Sequence, residues 1–393
     1  MTSSSESLPV IDIASLRGDF GEVGRIGAAL DRACCEFGFF YVTGHGIDPG
    51  LSARMITLAR EFFALPLAQK LEIAMAHGGR AWRGYFPVDG ELTSGRPDRK
   101  EGIYFGTELG PDDPRVRAGV PLHGMNVYPP LSGFRETLLT YIDNVTAVGQ
   151  LLLRGIAVGL GLGPDYFLER YTRDPTVLFR IFNYPPSTAS AHDHELGVGE
   201  HTDYGLLTLL RQDEIAGLEI WHEDRWISAP PVPDSFVCNV GDMLERLTAG
   251  RYVSALHRVR NVSTHDRVSM PLFLDPSFDA VLAPIEALTP DSSVSNRNRR
   301  QRRWDNTDLA TISGSYGDYL LNKVSKVPAT EGEGAVGVYF TGFTSPRRRA
   351  DQTISKVSSA ASALVRRNPS GVFTNASTLG ELSRFPSTMN NRT

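Results

Sequence analysis

Two histidines and one aspartate in an apolar, β-rich part of the chain have the types and spacing for metal chemistry. His201 and Asp203 lie two positions apart in Glu-His-Thr-Asp-Tyr-Gly, and His257 follows in Leu-His-Arg-Val. Residues two apart on an extended segment point to the same side. Two imidazoles and a carboxylate form a 2-His-1-carboxylate facial triad, which holds Fe(II) and leaves positions open for substrate and O2. We therefore expect His201, Asp203 and His257 to be the iron ligands.

An Arg-x-Ser pair, Arg267 and Ser269, follows the second histidine. A guanidinium fork and a hydroxyl together suit a carboxylate. Metal ligands followed by a carboxylate receptor indicate an iron oxygenase that consumes a keto-acid cosubstrate.

Other side chains compete with the triad for the role of metal ligand. The rivals are His192 and His194 in a polar His-x-His pair, His222, and His265 in a turn. We interpret the His-x-His pair and His265 as solvent-exposed. Asp242, in Val-Gly-Asp-Met, is interpreted as part of a structural turn.

Short strands separated by turn signals must position these residues. The pattern predicts strands at 177–183, 206–211, 218–222, 236–240, 256–262 and 269–274. Such a series indicates a double-sheet jelly roll. The fold class is therefore mainly β with flanking helices (α+β).

The N-terminal half is predicted to be mixed α/β. Apolar spacing predicts strands at 9–13 and 39–43 and helices over 23–37, from Pro49, and over 131–160. Residues 77–130, rich in Gly, Pro and charge, are predicted to be long loops. A final helix is expected at about 308–327.

Several motifs carry a family resemblance. They are His201-Thr-Asp-Tyr-Gly-Leu-Leu, Asn239-Val-Gly-Asp-Met-Leu-Glu-Arg, His257-Arg-Val, Pro9-Val-Ile-Asp-Ile and Gly38-Phe-Phe-Tyr-Val-Thr-Gly-His-Gly-Ile. Over residues 8–328 the chain resembles the isopenicillin N synthase-like branch of the 2-oxoglutarate and Fe(II)-dependent dioxygenase superfamily. The resemblance implies a double-stranded β-helix core, with Fe(II), 2-oxoglutarate as cosubstrate, and O2. It also implies hydroxylation, desaturation or cyclisation of a small organic substrate, with release of succinate and CO2.

The resemblance also implies roles for residues around the iron. The far carboxylate of 2-oxoglutarate would meet Arg267 and Ser269, with help from Tyr184 in Phe-Asn-Tyr-Pro-Pro. Many relatives have Asn two residues before this tyrosine, whereas this chain has Phe182, with Asn183 shifted by one. An Asn contact to the cosubstrate is therefore not expected.

The substrate pocket is less clearly marked. By alternation Arg180 shares a face with Phe182 and Tyr184, where it would bind an acidic substrate group or form a surface ion pair. Aromatic and apolar side chains are expected either to line the pocket or to pack in the core: Tyr85, Phe86, Tyr104, Phe105, Tyr204, Leu206 and Phe273.

Three other functions stay open beside the 2-oxoglutarate-dependent oxygenase. One is an oxidase of the isopenicillin N synthase type that needs no 2-oxoglutarate, in which Arg267 and Ser269 would hold the substrate's carboxylate. Another is an ethylene-forming enzyme, since Asp203-Tyr-Gly-Leu-Leu resembles such enzymes. The third is a metal-binding regulator that senses 2-oxoglutarate without turnover.

The composition indicates which partners and which compartment to expect. The chain has 393 residues and a formal charge of −5, which argues against a nucleic-acid partner. Three cysteines without framework spacing indicate a reducing compartment. We see no signal peptide and no apolar run that could span a membrane. The expectation is a cytoplasmic protein with a small-molecule substrate and a monomeric state.

The expected organisation has four parts. An N-terminal α/β region covers 8–130, a connecting helix region 131–173, and the jelly roll with its C-terminal helix 174–328. Residues 329–393, rich in Ser, Thr, Asn, Gly and Arg, are expected to be disordered. The Arg-rich stretch 297–303 is interpreted as a solvated loop.

Overall fold

A computed structural model describes residues 7–17, 20–93, 96–187, 196–288 and 307–324. Its helices are α1 Phe20–Glu36, α2 Pro49–Phe63, α3 Leu67–Leu71, α4 Pro114–Arg117, α5 Phe134–Gly159, α6 Tyr166–Arg170, α7 Asp242–Leu247 and α8 Tyr316–Val324. Its 3-10 segments are Ala14–Arg17, Met75–Ala81 and Leu309–Thr311. The Arg-rich stretch and the tail from 329 onward lie outside the described residues.

The strands form two main sheets and one small hairpin. They are β1 Val10–Asp12, β2 Phe39–Thr43, β3 Gly84–Phe86, β4 Leu92–Thr93, β5 Arg96–Pro97, β6 Glu101–Gly106, β7 Thr176–Tyr184, β8 Val198–His201, β9 Leu207–Gln212, β10 Leu218–His222, β11 Arg225–Ser228, β12 Phe236–Val240, β13 His257–Val259 and β14 Arg267–Asp275. The larger sheet has the order β1-β2-β12-β9-β14-β7-β6-β3, and the smaller has the order β11-β10-β13-β8. The two sheets are those of the predicted jelly roll, so this prediction is confirmed.

The N-terminal half contributes more sheet than the sequence predicts. Strands β3 and β6 lie inside the stretch 77–130, which was predicted to be loop, and they extend the larger sheet beyond β7. All residues of both strands are buried. A strand buried on both faces shows no polar–apolar alternation, and β3 is only three residues long. The loop prediction for these residues was therefore wrong.

The C-terminal helix begins later than the sequence predicts. A 3-10 turn at Leu309–Thr311 is followed by Gly314, whose φ of 92° interrupts the helix before α8 begins.

None of the helices in the described part of the chain is long and apolar enough to cross a membrane.

Helix α5 packs against α1 through glycines that let the two backbones approach closely. A Cβ on Gly27 would lie 2.8 Å from the carbonyl oxygen of Gly155 and 2.9 Å from the amide nitrogen of Gly159. The far side of α5 packs on the larger sheet, where a Cβ on Gly149 would meet Leu274. Together these contacts hold α1 and α5 against the larger sheet, which also forms the cavity wall.

We predict that Gly27→Ala lowers the free energy of unfolding by about 1–3 kcal/mol, since backbone atoms of α5 must move to admit the methyl group. Thermal and denaturant unfolding measure the change. Gly24→Ala, in the same helix, is the matched control because nothing lies within 4 Å of the place its methyl group would take. Alanine favours a helix over glycine, so the control should be neutral or stabilising. Equal effects of the two substitutions would contradict the proposed close packing.

Candidate metal centre and cosubstrate pocket

The pairing of two strands brings the two histidines together. His201 is the last residue of β8, His257 is the first of β13, and the two are direct partners in the antiparallel register. Their ring centroids are 4.2 Å apart. Asp203 lies just beyond the end of β8, where the chain turns toward β9. The three predicted ligands therefore meet at one end of the smaller sheet.

The ligand atoms converge on one point. The Nε2 atoms of His201 and His257 lie 3.8 and 3.7 Å from Oδ1 of Asp203, and all three atoms lie within 4.8 Å of one another. Each Nδ1 donates to a backbone carbonyl, that of Gly199 at 2.8 Å and that of Ala255 at 3.1 Å. With the proton on Nδ1, each Nε2 keeps its lone pair for a metal.

Asp203 is held by two neighbours on the opposite side from the histidines. Its Oδ2 accepts hydrogen bonds from Thr208 Oγ1 at 2.5 Å and from Asn239 Nδ2 at 2.7 Å, which leaves Oδ1 facing the imidazoles. Burial opposes ionisation, but the two imidazoles and these two hydrogen bonds outweigh it and lower the pKa of Asp203. The carboxylate is therefore charged and oriented at neutral pH.

The protonation of His201 also suits a metal. Burial, and then the neighbouring His257, lower the pKa of His201 to about 4. A neutral imidazole is the form that binds a metal. Two imidazole nitrogens and one carboxylate oxygen on a common face fit Fe(II), with the remaining coordination positions toward the cavity.

A second polar centre lies in the same cavity. Arg267 is fully buried; its Nη2 donates to Gln212 Oε1 at 2.7 Å and its Nε to the carbonyl of Ile215 at 3.1 Å. Its Nη1 is buried without a hydrogen-bond partner among the described residues. Nearby, Tyr184 Oη and Ser269 Oγ are 3.3 Å apart, and the Tyr184 ring lies 4.9 Å from the guanidinium carbon.

A buried guanidinium without a carboxylate partner is costly in free energy, because its charge has lost its hydration and gained no counter-ion. Arg267 pairs with no acidic side chain in the described ranges, so its free Nη1 fits an anion supplied from the cavity. The two hydroxyls beside it add neutral donors. This centre has the chemistry of a carboxylate receptor, as the Arg-x-Ser pair predicts.

Alternation along two central strands builds the cavity wall. On β7 the inward residues are Leu178, Arg180, Phe182 and Tyr184; on β14 they are Arg267, Ser269, Pro271, Phe273 and Asp275. The cavity has a volume of about 310 Å³ and also contains the triad. The metal ligands and the carboxylate receptor therefore share one cavity.

The predicted pocket residues divide into two groups. Tyr204, Phe273 and Arg180 line the cavity. Tyr85 does not: it is buried outside it and donates its hydroxyl to Glu101 Oε2 at 2.6 Å. The sequence shows that these aromatics are buried but not which face of the sheet they occupy. Also absent from the lining are Phe86, Tyr104, Phe105 and Leu206.

The rival ligands lie elsewhere or have other partners. His222 stacks on Phe37 with ring centroids 4.4 Å apart, and His265 is exposed. Asp242 is buried at the start of α7, where it accepts from Ser254 and from Tyr319. His192 and His194 lie outside the described residues.

Asn183 does not line the cavity and has other hydrogen-bond partners. Its amide nitrogen donates to Glu101 Oε1 at 3.1 Å and to Asp266 Oδ1 at 3.3 Å. The adjacent Phe182 turns into the cavity instead.

Sequence reasoning missed the groups that orient the ligands. Thr208 and Asn239 are buried polar residues on β9 and β12, whose neighbours are mostly apolar, and that contrast was the available signal. Asp98 was also missed. Its Oδ1 accepts from the amide of Gly199, and its Oδ2 accepts from Thr93 Oγ1 and Lys100 Nζ. It thereby ties the β4–β5 hairpin to the strand that ends at His201.

We predict that Asn239→Ala weakens Fe(II) binding by about 10–100-fold, because Asp203 loses a hydrogen bond that orients it. Anaerobic titration calorimetry with Fe(II) measures the affinity. Asn144→Ala is the control, since Asn144 lies exposed on α5 and its side chain donates only within that helix, to the carbonyl of Thr140. Wild-type affinity in the Asn239 variant would show that Asp203 does not depend on this contact.

Comparison with known proteins places this site in a family. Residues 8–131 match the N-terminal domain described as non-haem dioxygenase in morphine synthesis, and residues 173–276 match the 2OG-Fe(II) oxygenase superfamily. A Dictyostelium discoideum protein described as a probable iron/ascorbate oxidoreductase is 47% identical over 347 residues, which cover 82% of this chain and 95% of the relative. A homoarginine-6-hydroxylase of Oryza sativa subsp. japonica is 38% identical over 299 residues, which cover 73% and 90%.

A solved structure agrees with these relatives. A full-length Neurospora crassa protein in complex with alpha-KG (2-oxoglutarate) matches with a TM-score of 0.67 and 26% identity, over 81% of this chain and 97% of that one. With the relatives above, it supports the jelly-roll fold. The chain belongs to the 2-oxoglutarate and Fe(II)-dependent dioxygenase superfamily, whose members are oxidoreductases that use Fe(II), 2-oxoglutarate and O2.

Proposed function

We propose that the chain holds Fe(II) with His201, Asp203 and His257, binds 2-oxoglutarate with Arg267, Ser269 and Tyr184, and oxidises a C–H bond of a small organic substrate. Succinate and CO2 leave as the other products. The observation that carries the proposal is the free Nη1 of the buried Arg267, in the same cavity as the triad. When bound, Fe(II) supplies the activation of O2 and the oxidation of the substrate.

The protein's own side chains bind and orient the metal and the cosubstrate. His201, Asp203 and His257 would hold the metal, and a metal with these three ligands would bring the cosubstrate and O2 together. Arg267 receives the far carboxylate of 2-oxoglutarate and thereby sets how deep its keto-acid end reaches toward the triad. Leu178 and Phe182 on β7 line the cavity and limit the water around the metal.

We propose hydroxylation as the outcome, in preference to desaturation or cyclisation. The support is the homoarginine-6-hydroxylase relative, which by its name is a hydroxylase and shares 38% identity with this chain. We further propose that the chain belongs to the isopenicillin N synthase-like branch and acts in secondary metabolism. We also propose that it is a monomer. Unpaired Cys34, Cys35 and Cys238 support a cytoplasmic location, since such compartments keep thiols reduced.

A second candidate is a 2-oxoglutarate-independent oxidase on the same fold. Its support is that Arg267 would receive a substrate's carboxylate as well as a keto acid's. An ethylene-forming reaction remains a variant of the first proposal, because it would use the same cosubstrate site.

Anaerobic titration of the Fe(II)-loaded protein with 2-oxoglutarate separates these proposals. Chelation by the keto acid gives a weak visible charge-transfer band, which should appear and saturate. Saturation of this band supports 2-oxoglutarate as the cosubstrate. Bound Fe(II) without a band would instead favour the oxidase.

We predict that Arg267→Ala raises the 2-oxoglutarate concentration for half-saturation of this band by about 10–150-fold, equivalent to the roughly 1.5–3 kcal/mol of one charge-assisted hydrogen bond. Fe(II) affinity should be nearly unchanged, because Arg267 does not contact the triad. Arg170→Ala is the control: Arg170 stacks on Tyr166 at 4.8 Å, exposed on α6. Unchanged saturation in a folded Arg267 variant would remove Arg267 from this role.

A further inference from the structure

A second arginine reaches into the cavity from β7. Arg180 lies two residues before Phe182 on the inward face, and three aromatic rings surround its guanidinium. The guanidinium carbon is 4.0 Å from the ring centroid of Tyr104, 5.1 Å from that of Phe273 and 5.4 Å from that of Trp82. A guanidinium close to ring faces gains cation–π attraction, and its N–H groups can still donate hydrogen bonds.

Arg180 forms no hydrogen bond or ion pair with any residue that the structure describes. The carboxylates nearest to it in the cavity have other partners. Glu91 accepts from Tyr104 and pairs with Lys100, and Asp275 accepts from the hydroxyl of Tyr316 through Oδ2. Lys100 differs from Arg180 in this respect, because it is paired with both Asp98 and Glu91.

The carboxylates of Glu91, Asp203 and Asp275 only partly offset the cost of burying the charge of Arg180. Burial lowers the pKa of Arg180. Arg83, which donates to the backbone carbonyls of Ala81 and Leu122, adds a second cation on this side; burial and the charge of Arg180 lower its pKa to about 10. A partly buried cation in such a setting attracts an anion.

The cosubstrate does not supply that anion in the proposed arrangement. Fe(II), the Asp203 carboxylate, doubly ionised 2-oxoglutarate and Arg267 together carry no net charge. Arg180 is not part of this neutral set, and Glu91 and Asp275 offset its charge only in part, so it can still bind an anion when iron and 2-oxoglutarate are bound. A third molecule that enters the cavity meets an oriented guanidinium fork beside the metal centre.

We propose that Arg180 is the receptor for a carboxylate of the prime substrate, so that the substrate is a small organic acid, amino acids included. The proposal rests on the proposed function, because it assumes that Arg267 serves 2-oxoglutarate. A planar fork binds a carboxylate bidentately, which fixes the orientation as well as the affinity of the bound acid.

The test uses the full-length protein as its anaerobic complex with Fe(II) and 2-oxoglutarate. The probes are the proteinogenic L-amino acids and the straight-chain acids from acetate to octanoate, each paired with its primary amide. A ligand that enters beside the metal shifts the charge-transfer band, and the shift is titrated. We expect one or more acids to shift the band, and their amides to require at least tenfold higher concentrations.

Substitutions identify the group responsible. Arg180→Met should raise the concentration of the responding acid for half-maximal shift at least tenfold, leave the amide unchanged, and leave the 2-oxoglutarate requirement within twofold. Arg180→Lys should recover part of the loss, because it keeps the charge without the fork. Arg170→Met, which removes an exposed arginine stacked on Tyr166, is the matched control. Thermal unfolding and Fe(II) affinity show whether each variant is folded.

Three results would overturn the proposal. Equal responses to acids and amides would show that no charge is recognised. A large rise in the 2-oxoglutarate requirement of Arg180→Met, with acid binding unaffected, would assign Arg180 to the cosubstrate. No response to any acid by a complex that binds 2-oxoglutarate normally would exclude this substrate class. Failure of the proposed function is seen earlier and separately, as the absence of a band with 2-oxoglutarate alone.

Discussion

The packing of two imidazoles and a carboxylate within 4.8 Å of one another is the arrangement on which the rest of the site depends. Without other interactions, burial would raise the pKa of the carboxylate and favour its neutral form. The two imidazoles oppose this effect, and so do hydrogen bonds to Oδ2 from Thr208 and Asn239, on two adjacent strands of the larger sheet. The larger sheet thus orients the aspartate, while the smaller sheet supplies both histidines.

The second organising feature is the alternation of side chains on β7 and β14. These strands are neighbours, and the same periodicity places Tyr184, Arg267 and Ser269 on the wall that faces the triad. The opposite faces of the strands pack against the helical layer, where Tyr141 of α5 meets Phe179 with ring centroids 5.5 Å apart. One strand pair therefore joins the packing of the core to the chemistry of the cavity.

The sequence predicted the parts of this protein that are set by local pattern. His-x-Asp spacing identified two ligands, and strand periodicity placed Arg180 and Tyr184 on one face. It did not predict that His201 and His257 would be direct cross-strand partners, because register depends on distant pairing. Asn239 was missed as an orienting group for the same reason: its partner lies on another strand. The sequence left open whether Tyr85 lines the pocket or packs in the core, because β3 is short and wholly buried and shows no alternation.

The link made by Asp98 has a thermodynamic consequence. This carboxylate bonds the amide of Gly199, two residues before His201, and also holds Thr93 in a hairpin that lines the cavity. A ligand that stabilises the hairpin therefore also stabilises the strand end that presents an imidazole to the metal. Because such coupling is reciprocal, metal bound at His201 would stabilise the hairpin to the same extent. The affinity of the triad for metal and the affinity of the hairpin side of the cavity for a ligand are thus coupled.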